Sequence, residues 1–475
     1  MEYEAVIGLE IHIETKTRSK MFSDAPVDYT AQPNSLVSPI DLAHPGTLPR
    51  INKKAVENAI KVCHALKMDI DETLYFDRKN YFYSDLPKGY QITQDKRPIG
   101  RNGTLELDID GVIRTIRINR AHMEEDTAKQ LHLVDYSLID YNRAGIPLIE
   151  VVSEPDIRNG KEASKYVELI REIVTFTDVS DGKMEEGSLR CDVNISIRPK
   201  GETAFGTKVE VKNLNSISNV EKVVDIEIER QKQVLASGGK VIQETRRYDD
   251  EKKTTIGMRV KTSAVDYKYY PEANLTPIYI GRAFIDRVIA SCPELPTTKR
   301  MRYATTYQLS QFDIDVLLAR RDVCEYFDET CKYTNNYKMA ANLINGEIAA
   351  FLNKNNTSIA NLTLSPLNLA KVVDMIDKGK ISNKQARTIL EHLFIKDEDP
   401  EAVAKRLNMV QISDEAAILA LVNTVLDDNL SVIEDYKNGK DRAFGFLVGL
   451  LMKKSQGKIN PSMASKILKE EIEKR

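Results

Sequence analysis

Residues Glu4 to Thr15, EAVIGLEIHIET, alternate without a break: Ile7, Leu9, Ile11 and Ile13 on odd positions, Gly8, Glu10, His12 and Glu14 on even ones. A two-residue period is that of a β-strand, so one face is apolar and the other carries carboxylates and an imidazole. Side chains on one face of a strand recur roughly every 7 Å. Three groups of metal-ligand type thus stand in a row, and the chain must fold around a sheet that buries the opposite face.

Later stretches repeat the design. In Ser188 to Arg198, SLRCDVNISIR, the residues Leu189, Cys191, Val193, Ile195 and Ile197 face a core, while Arg190, Asp192, Asn194 and Arg198 lie opposite. Lys208 to Lys212, KVEVK, puts Lys208, Glu210 and Lys212 on the polar face. Asp110-Gly111 marks a hairpin over 103–119. Its second arm runs into Ala121-His122-Met123-Glu124-Glu125-Asp126, where crowded like charges are relieved by a cation. Glu150 interrupts the apolar run Ile146 to Val152, and a lone carboxylate there calls for a partner or a metal. Phe76 to Gln94 is basic and aromatic, with Lys79 and Lys88 placed to touch phosphates or carboxylates.

Helical periodicity appears at 53–67, 161–177 and 216–236, so helices can cover one face of the sheet. The reading is an α+β layer with a charged, concave antiparallel sheet. Hard Mg²⁺ ions take carboxylate and phosphate oxygens together, and phosphoryl transfer adds Lys or Arg to neutralise the migrating group. The chain has no G-x-x-x-x-G-K-[ST] loop and no kinase glycine loop, so a nucleotide would be held by metals and a sheet. Composition and periodicity stop at a metal- and phosphate-handling α+β enzyme.

Past Ile285 strand patterns vanish. Pro293 and Pro296 mark a boundary, and two helical units follow, dividing near residue 400. Ala443 to Met452, AFGFLVGLLM, is a short apolar helix followed by Lys453, Lys454 and Lys458. From Lys440 onward basic residues outnumber acidic ones roughly two to one, as in patches that bind phosphate backbones. The net charge of −3 over 475 residues excludes a uniformly basic coat, so any nucleic-acid contact is local. The five cysteines, Cys63, Cys191, Cys292, Cys324 and Cys331, share no metal-binding spacing and read as reduced thiols of a cytoplasmic protein. The chain opens on a strand rather than a leader, and no apolar run approaches the roughly 20 residues of a membrane span.

The blocks IGLEIHIE, FDRKNYFY, LPKGYQIT, HMEED, NRAGIPLIEVVSEPDI, KMEEGSLRCDVNIS, EVKNLNS, QETRRYD and YKYYPE, in this order, resemble the B subunit of the glutamyl/aspartyl-tRNA amidotransferase. The resemblance covers essentially the whole chain. It implies a catalytic cradle with a glutamine-synthetase-like fold over 1–292, a helical domain over 293–400 and a YqeY-like helical tail over 401–475. It implies an enzyme that uses ATP and Mg²⁺ to phosphorylate the side-chain carboxylate of glutamate or aspartate misacylated onto tRNA(Gln) or tRNA(Asn), after which ammonia displaces the phosphate. Carried onto this sequence, it makes Glu10, His12, Glu124, Glu125 and Glu150 metal ligands. Lys79, Asp192, Lys208 and Glu210 become phosphoryl-stabilising or substrate-positioning residues. Lys88 sits where ammonia enters, and Lys440, Lys453, Lys454 and Lys458 face tRNA.

The chain shows no cysteine at residue 1 or 2, no Gly-x-Cys-x-Gly and no amidase-type serine segment, so glutamine would be hydrolysed elsewhere. The resemblance gives that task to the family's A subunit, an amidase, with a small C subunit beside it. Some family members carry a four-cysteine zinc site near the loop that here reads MFSDAPVDYTAQPNSLVSPIDLAHPG. Without cysteine there, no structural zinc is expected. Two other readings stand beside this one. A two-metal hydrolase would need no ATP, and a non-catalytic tRNA adaptor would tolerate loss of His12.

Overall fold

The computed structural model describes residues 2–260, 267–409, 415–437, 440–455, 459 and 461–475. Its contacts divide the chain into two units, Met1–Pro296 and Thr297–Arg475.

In chain order the strands of the first unit are β1 (Tyr3–Glu14), β2 (Asp69–Ile70), β3 (Thr73–Leu74), β4 (Asp77–Asn80), β5 (Tyr90–Thr93), β6 (Gly100–Ile109), β7 (Val112–Glu125) and β8 (Lys129–His132). They continue with β9 (Ser137–Asp140), β10 (Pro147–Ser153), β11 (Leu189–Pro199), β12 (Val209–Leu214), β13 (Glu244–Asp249), β14 (Thr254–Val260), β15 (Tyr270–Pro271) and β16 (Ile278–Tyr279). Nine form one sheet in the order β14-β13-β12-β11-β1-β10-β7-β6-β2. Its neighbours run antiparallel except β12 and β13, which are parallel. The charged first strand is the middle of this sheet. Strand β4 lies between β15 and β5 in a separate three-stranded sheet.

The alternation read from the sequence is realised in β1, where Ile7, Leu9, Ile11 and Ile13 are fully buried. They share a core with α1 (Lys53–Ala65), α2 (Gly160–Phe176) and α3 (Ile217–Ala236), whose stripes Val56, Ile60, Tyr166, Ile170, Val220 and Val224 cover that face. Each helix starts at a side chain able to accept from the free amides of its first turn: Asn52, Asn159 and Ser216. The β6–β7 hairpin turns at Asp110 and Gly111, with φ of 53° and 81°, the paired positive values of a type I′ turn. The long loop after β1 is pinned by Lys20, whose Nζ donates to Asp41 Oδ2 at 2.9 Å with both side chains buried.

The second unit is helical, from the helix Pro296–Thr305, whose first residue closes the first unit, to Pro461–Lys474. Ser310 and Asp313 close a capping box at the helix Gln311–Leu318. Helices over 415–474 pack on their own apolar cluster, with Ile418, Val422, Leu447, Leu451 and Leu468 buried. Among the described residues no helix is long and apolar enough to cross a membrane.

Candidate functional site

The register of the large sheet brings polar residues from distant parts of the chain onto one face. His12 on β1 lies opposite Glu150 on β10, and Glu150 opposite His122 on β7. On the other side Glu10 lies opposite Asp192 of β11. Strand alternation does the rest, because Glu10, His12 and Glu14 share the face that Glu124, Glu150, Asp192 and Glu210 also occupy.

Two triads result. His12, Glu124 and Glu150 each present a ligand-type atom within 4.8 Å of the others, and so do Glu10, Asp192 and Glu210. In the first, His12 Nε2 stands 3.3 Å from Glu150 Oε2 and 4.0 Å from Glu124 Oε1, and His122 Nε2 stands 3.4 Å from the same Glu150 oxygen. Burial opposes the His12 imidazolium, but Glu150, Glu124 and Asp192 outweigh it and push its pKa up to about 9. Burial likewise works to raise the Glu150 carboxyl, yet the two imidazoles hold it well below the usual range. Glu124 Oε2 and His122 Nδ1 are buried and find no hydrogen-bond partner.

The second triad is already touched by a cation. Lys212 Nζ lies 2.6 Å from Asp192 Oδ2 and 3.4 Å from Glu210 Oε1. Burial works against this ammonium, while Asp192 and Glu210 hold its pKa above the lysine range. Glu10 accepts from Asn194 Nδ2 at 2.8 Å. Its pKa is raised, first by burial and then by Glu150 and Asp192. The excess of negative charge and the mostly oxygen donors are what a hard divalent cation requires, and the unpartnered Glu124 oxygen fits the same demand.

Lys79 on β4 reaches this face. Its Nζ stands 5.1 Å from the ring centroid of Tyr267 and 5.9 Å from that of Tyr81. Burial works to lower its pKa, but Glu124 and Glu150 hold it above the ordinary value. Lys208 is exposed and lines a cavity with Glu10. Past His12 the row continues into Glu14, Asp126 and Arg190, with Arg190 Nη2 donating to Asp126 Oδ2 at 2.8 Å. Burial, then Asp126, pushes the Glu14 carboxyl up to about 8.

Glu125 stands apart from the other carboxylates expected to act as ligands. As the immediate neighbour of Glu124 on a strand it points to the opposite face, where it bonds Lys88 Nζ and accepts from Ile92 N at 2.9 Å. The structure thus joins Lys88 to Glu125 as a buried ion pair and separates both from the triads. In the tail, Lys440 pairs with Asp435 and Lys454 with Asp428, while Lys453 is exposed; Lys458 lies outside the described residues. Sequence reasoning puts Lys212 on a polar face and His122 in an acidic run but gives neither a role in the site. Parity alone points to both, since they share a face with Glu124 and Glu210.

Comparison with known proteins gives the family. Residues 5–286 match the model of the GatB/GatE catalytic domain, and residues 325–472 match that of the GatB domain. The chain is 50% identical over 476 residues to the B subunit of the aspartyl/glutamyl-tRNA(Asn/Gln) amidotransferase of Bacillus velezensis. It is 48% identical over 476 residues to that of Bacillus cytotoxicus, and both alignments cover 100% of each chain. A match of this extent, over a sheet whose polar face gathers residues from five of the quoted blocks into two triads, assigns the chain to the B-subunit family of the aspartyl/glutamyl-tRNA(Asn/Gln) amidotransferases.

Proposed function

We propose that this chain phosphorylates the side-chain carboxylate of glutamate or aspartate misacylated onto tRNA(Gln) or tRNA(Asn), using ATP and Mg²⁺, and then directs ammonia onto the activated carbonyl. A carboxylate oxygen attacks the γ-phosphorus of ATP and ADP leaves. Ammonia then attacks the carbonyl carbon, inorganic phosphate departs, and the amide remains after loss of a proton. The observation that carries this reading is the pair of adjoining triads, His12–Glu124–Glu150 and Glu10–Asp192–Glu210, with Lys79 beside them.

Both triads would hold Mg²⁺, which when bound neutralises phosphate charge. Lys79 stabilises the migrating phosphoryl group, a task suited to an ammonium kept charged by Glu124 and Glu150. Asp192 and Glu210 contribute to the second triad, and Lys208, on the rim beside Glu10, steadies the phosphates. The Lys88–Glu125 pair stands at the entry of ammonia, and Lys440, Lys453, Lys454 and Lys458 receive tRNA phosphates, which positions the tRNA without reading its sequence. The same reading likens the sheet to the cradle of glutamine synthetase.

Ammonia comes from a partner glutaminase, the amidase that forms the A subunit, held with a small C subunit in a cytoplasmic assembly. All five thiols here are free, and burial is the leading cause that raises the pKa of each, which disfavours a thiolate nucleophile. A separate source requires a sheltered route, because water protonates ammonia to unreactive ammonium.

The test is phosphate release and amide formation by the chain co-expressed with its partners, supplied with Mg²⁺, ATP, ammonium chloride and misacylated tRNA. Both activities are expected to depend on the misacylated tRNA and to fall about 10²-fold or more in His12→Ala. Amidation that survives this substitution, or proceeds without ATP, sinks the reading.

A further inference from the structure

We propose that Thr245, on β13, is a positioning residue of the second triad: its hydroxyl fixes Glu210 in the orientation that presents it, with Glu10 and Asp192, to a divalent cation. This deepens the phosphoryl-transfer reading and rests on it.

The placement follows from a row of residues that crosses four strands. Gly8 of β1 lies opposite Asn194 of β11, Asn194 opposite Glu210 of β12, and Glu210 opposite Thr245 of β13. Directly paired residues share a face of the sheet, so Glu210 stands between two uncharged hydrogen-bonding side chains. Both turn to the triad. Asn194 Nδ2 donates to Glu10 Oε1 at 2.8 Å, and Thr245 Oγ1 donates to Glu210 Oε2 at 2.9 Å. Lys212, from the same strand as Glu210, donates to Asp192 Oδ2. Each of the three carboxylates thus has a donor of its own.

A glutamate ends in a soft torsion with broad minima, so the strand that carries Glu210 does not by itself aim the carboxylate. A hydrogen bond to one oxygen does, and with an ionised acceptor it is stronger than a bond between neutral groups. The hydroxyl is also uncharged. Lys212 already brings one cation to the triad, and a second at position 245 would cancel more of the negative charge that draws a divalent ion. Threonine aims the ligand and leaves that charge in place, as outer partners of ligating carboxylates do.

Thr245 is itself held. It is buried, and strand alternation sends its neighbour Arg246 to the other face of the sheet. There Arg246 Nε donates to Thr255 Oγ1 at 2.8 Å, and Thr255 Oγ1 donates to Glu227 Oε2 at 2.9 Å. Arg230 Nη2 donates to Glu227 Oε1 at 2.7 Å, and Glu227, on α3, is fully buried. Strand β13 cannot shift without breaking this network, and a rigid support is what close aim of a ligand requires. The β13–β14 register shifts between Thr245 and Arg246, an irregularity of the kind that re-aims side chains beside active sites. The block QETRRYD, which carries none of the triad residues, thereby acquires a part in the site.

The test uses the full chain co-expressed with its partners and titrates it with Mn²⁺ alone, reading the number of ions bound and the affinity of each. The wild-type protein is expected to bind two. Thr245→Val keeps the branched stem and loses the hydroxyl; it is expected to weaken one ion roughly ten- to hundredfold and to leave the other unchanged. Thr245→Ser, which keeps a hydroxyl, should retain most of the affinity. Thr245→Ala carries the same expectation as the valine variant should that one fail to fold. Two ions bound as in wild type by whichever hydroxyl-free variant folds would overturn the proposal. So would a serine variant as weak as the valine one, which would leave Thr245 a packing role only. A wild-type protein that binds a single ion removes the second metal from the phosphoryl-transfer reading as well, a result distinguishable from two bound ions indifferent to Thr245.

Discussion

Adjacent carboxylates Glu124 and Glu125 have opposite surroundings, and the difference is one of parity. Glu124 faces His12 and Glu150, whereas Glu125 is sealed against Lys88, their side chains 5% and 6% exposed. Removing one member of a buried pair strands the other charge, so Lys88→Met is expected to destabilise the protein by about 3–5 kcal/mol. The double variant Lys88→Met/Glu125→Leu should recover most of that loss, and denaturant unfolding of both would check it. A Lys88→Met protein as stable as wild type would show that the pair contributes nothing to the fold. This distinction was legible in principle, since a two-residue period sends neighbours to opposite faces, and His122 shares the parity of Glu124. The joining of His12 to Glu150 and of Glu10 to Asp192 was not legible from periodicity. Residues about 140 and 180 positions apart meet only through strand pairing, and pairing leaves no mark in either local pattern.

At the scale of elements, the periodic ones could be read and the short ones could not. Helices α1, α2 and α3 follow their stripes and caps, and the β6–β7 hairpin follows its Asp-Gly turn. Strands β2, β3, β15 and β16 have two residues each, too few to show a period. The parallel pairing of β12 with β13 through α3 is likewise a tertiary outcome. Gly160, the first residue of α2, shows how tightly elements meet. A Cβ there would stand 2.4 Å from Glu221 O of α3 and 2.9 Å from the Asp225 carboxylate, while the Gly160 amide donates to Asp225 Oδ1 at 3.0 Å. Gly160→Ala must push the helices apart and is expected to cost about 1–3 kcal/mol. Thermal unfolding at constant pH measures it, and an unchanged midpoint would mean that α2 and α3 can slide without penalty.

At the scale of the whole molecule, the two units have internal contacts of their own, so their stabilities can be perturbed one at a time. Asp313 belongs to the second. Burial works to raise its carboxyl, but Lys338 and Ser310 hold it below the ordinary value of 3.8. A carboxyl depressed in the folded state stabilises fully above that value, and the contribution fades as pH falls through the lower folded-state pKa. Asp313→Ala, which also opens the capping box, should therefore destabilise the second unit by about 1 kcal/mol at neutral pH. The difference should shrink below pH 3.8, as calorimetry across pH would record. A deficit constant with pH would assign the effect to packing alone. The place of β1 at the centre of the large sheet has a consequence for how the protein is made. Its neighbours β10 and β11 begin at Pro147 and Leu189. At synthesis rates of about 5–20 residues per second, the strand waits roughly ten to forty seconds on the ribosome before both flanks exist. Its isoleucine-rich face is unshielded by the finished sheet for that interval. Chains arrested before Pro147 are therefore expected to aggregate through it, while chains extended past Pro199 are expected to be released from that hazard.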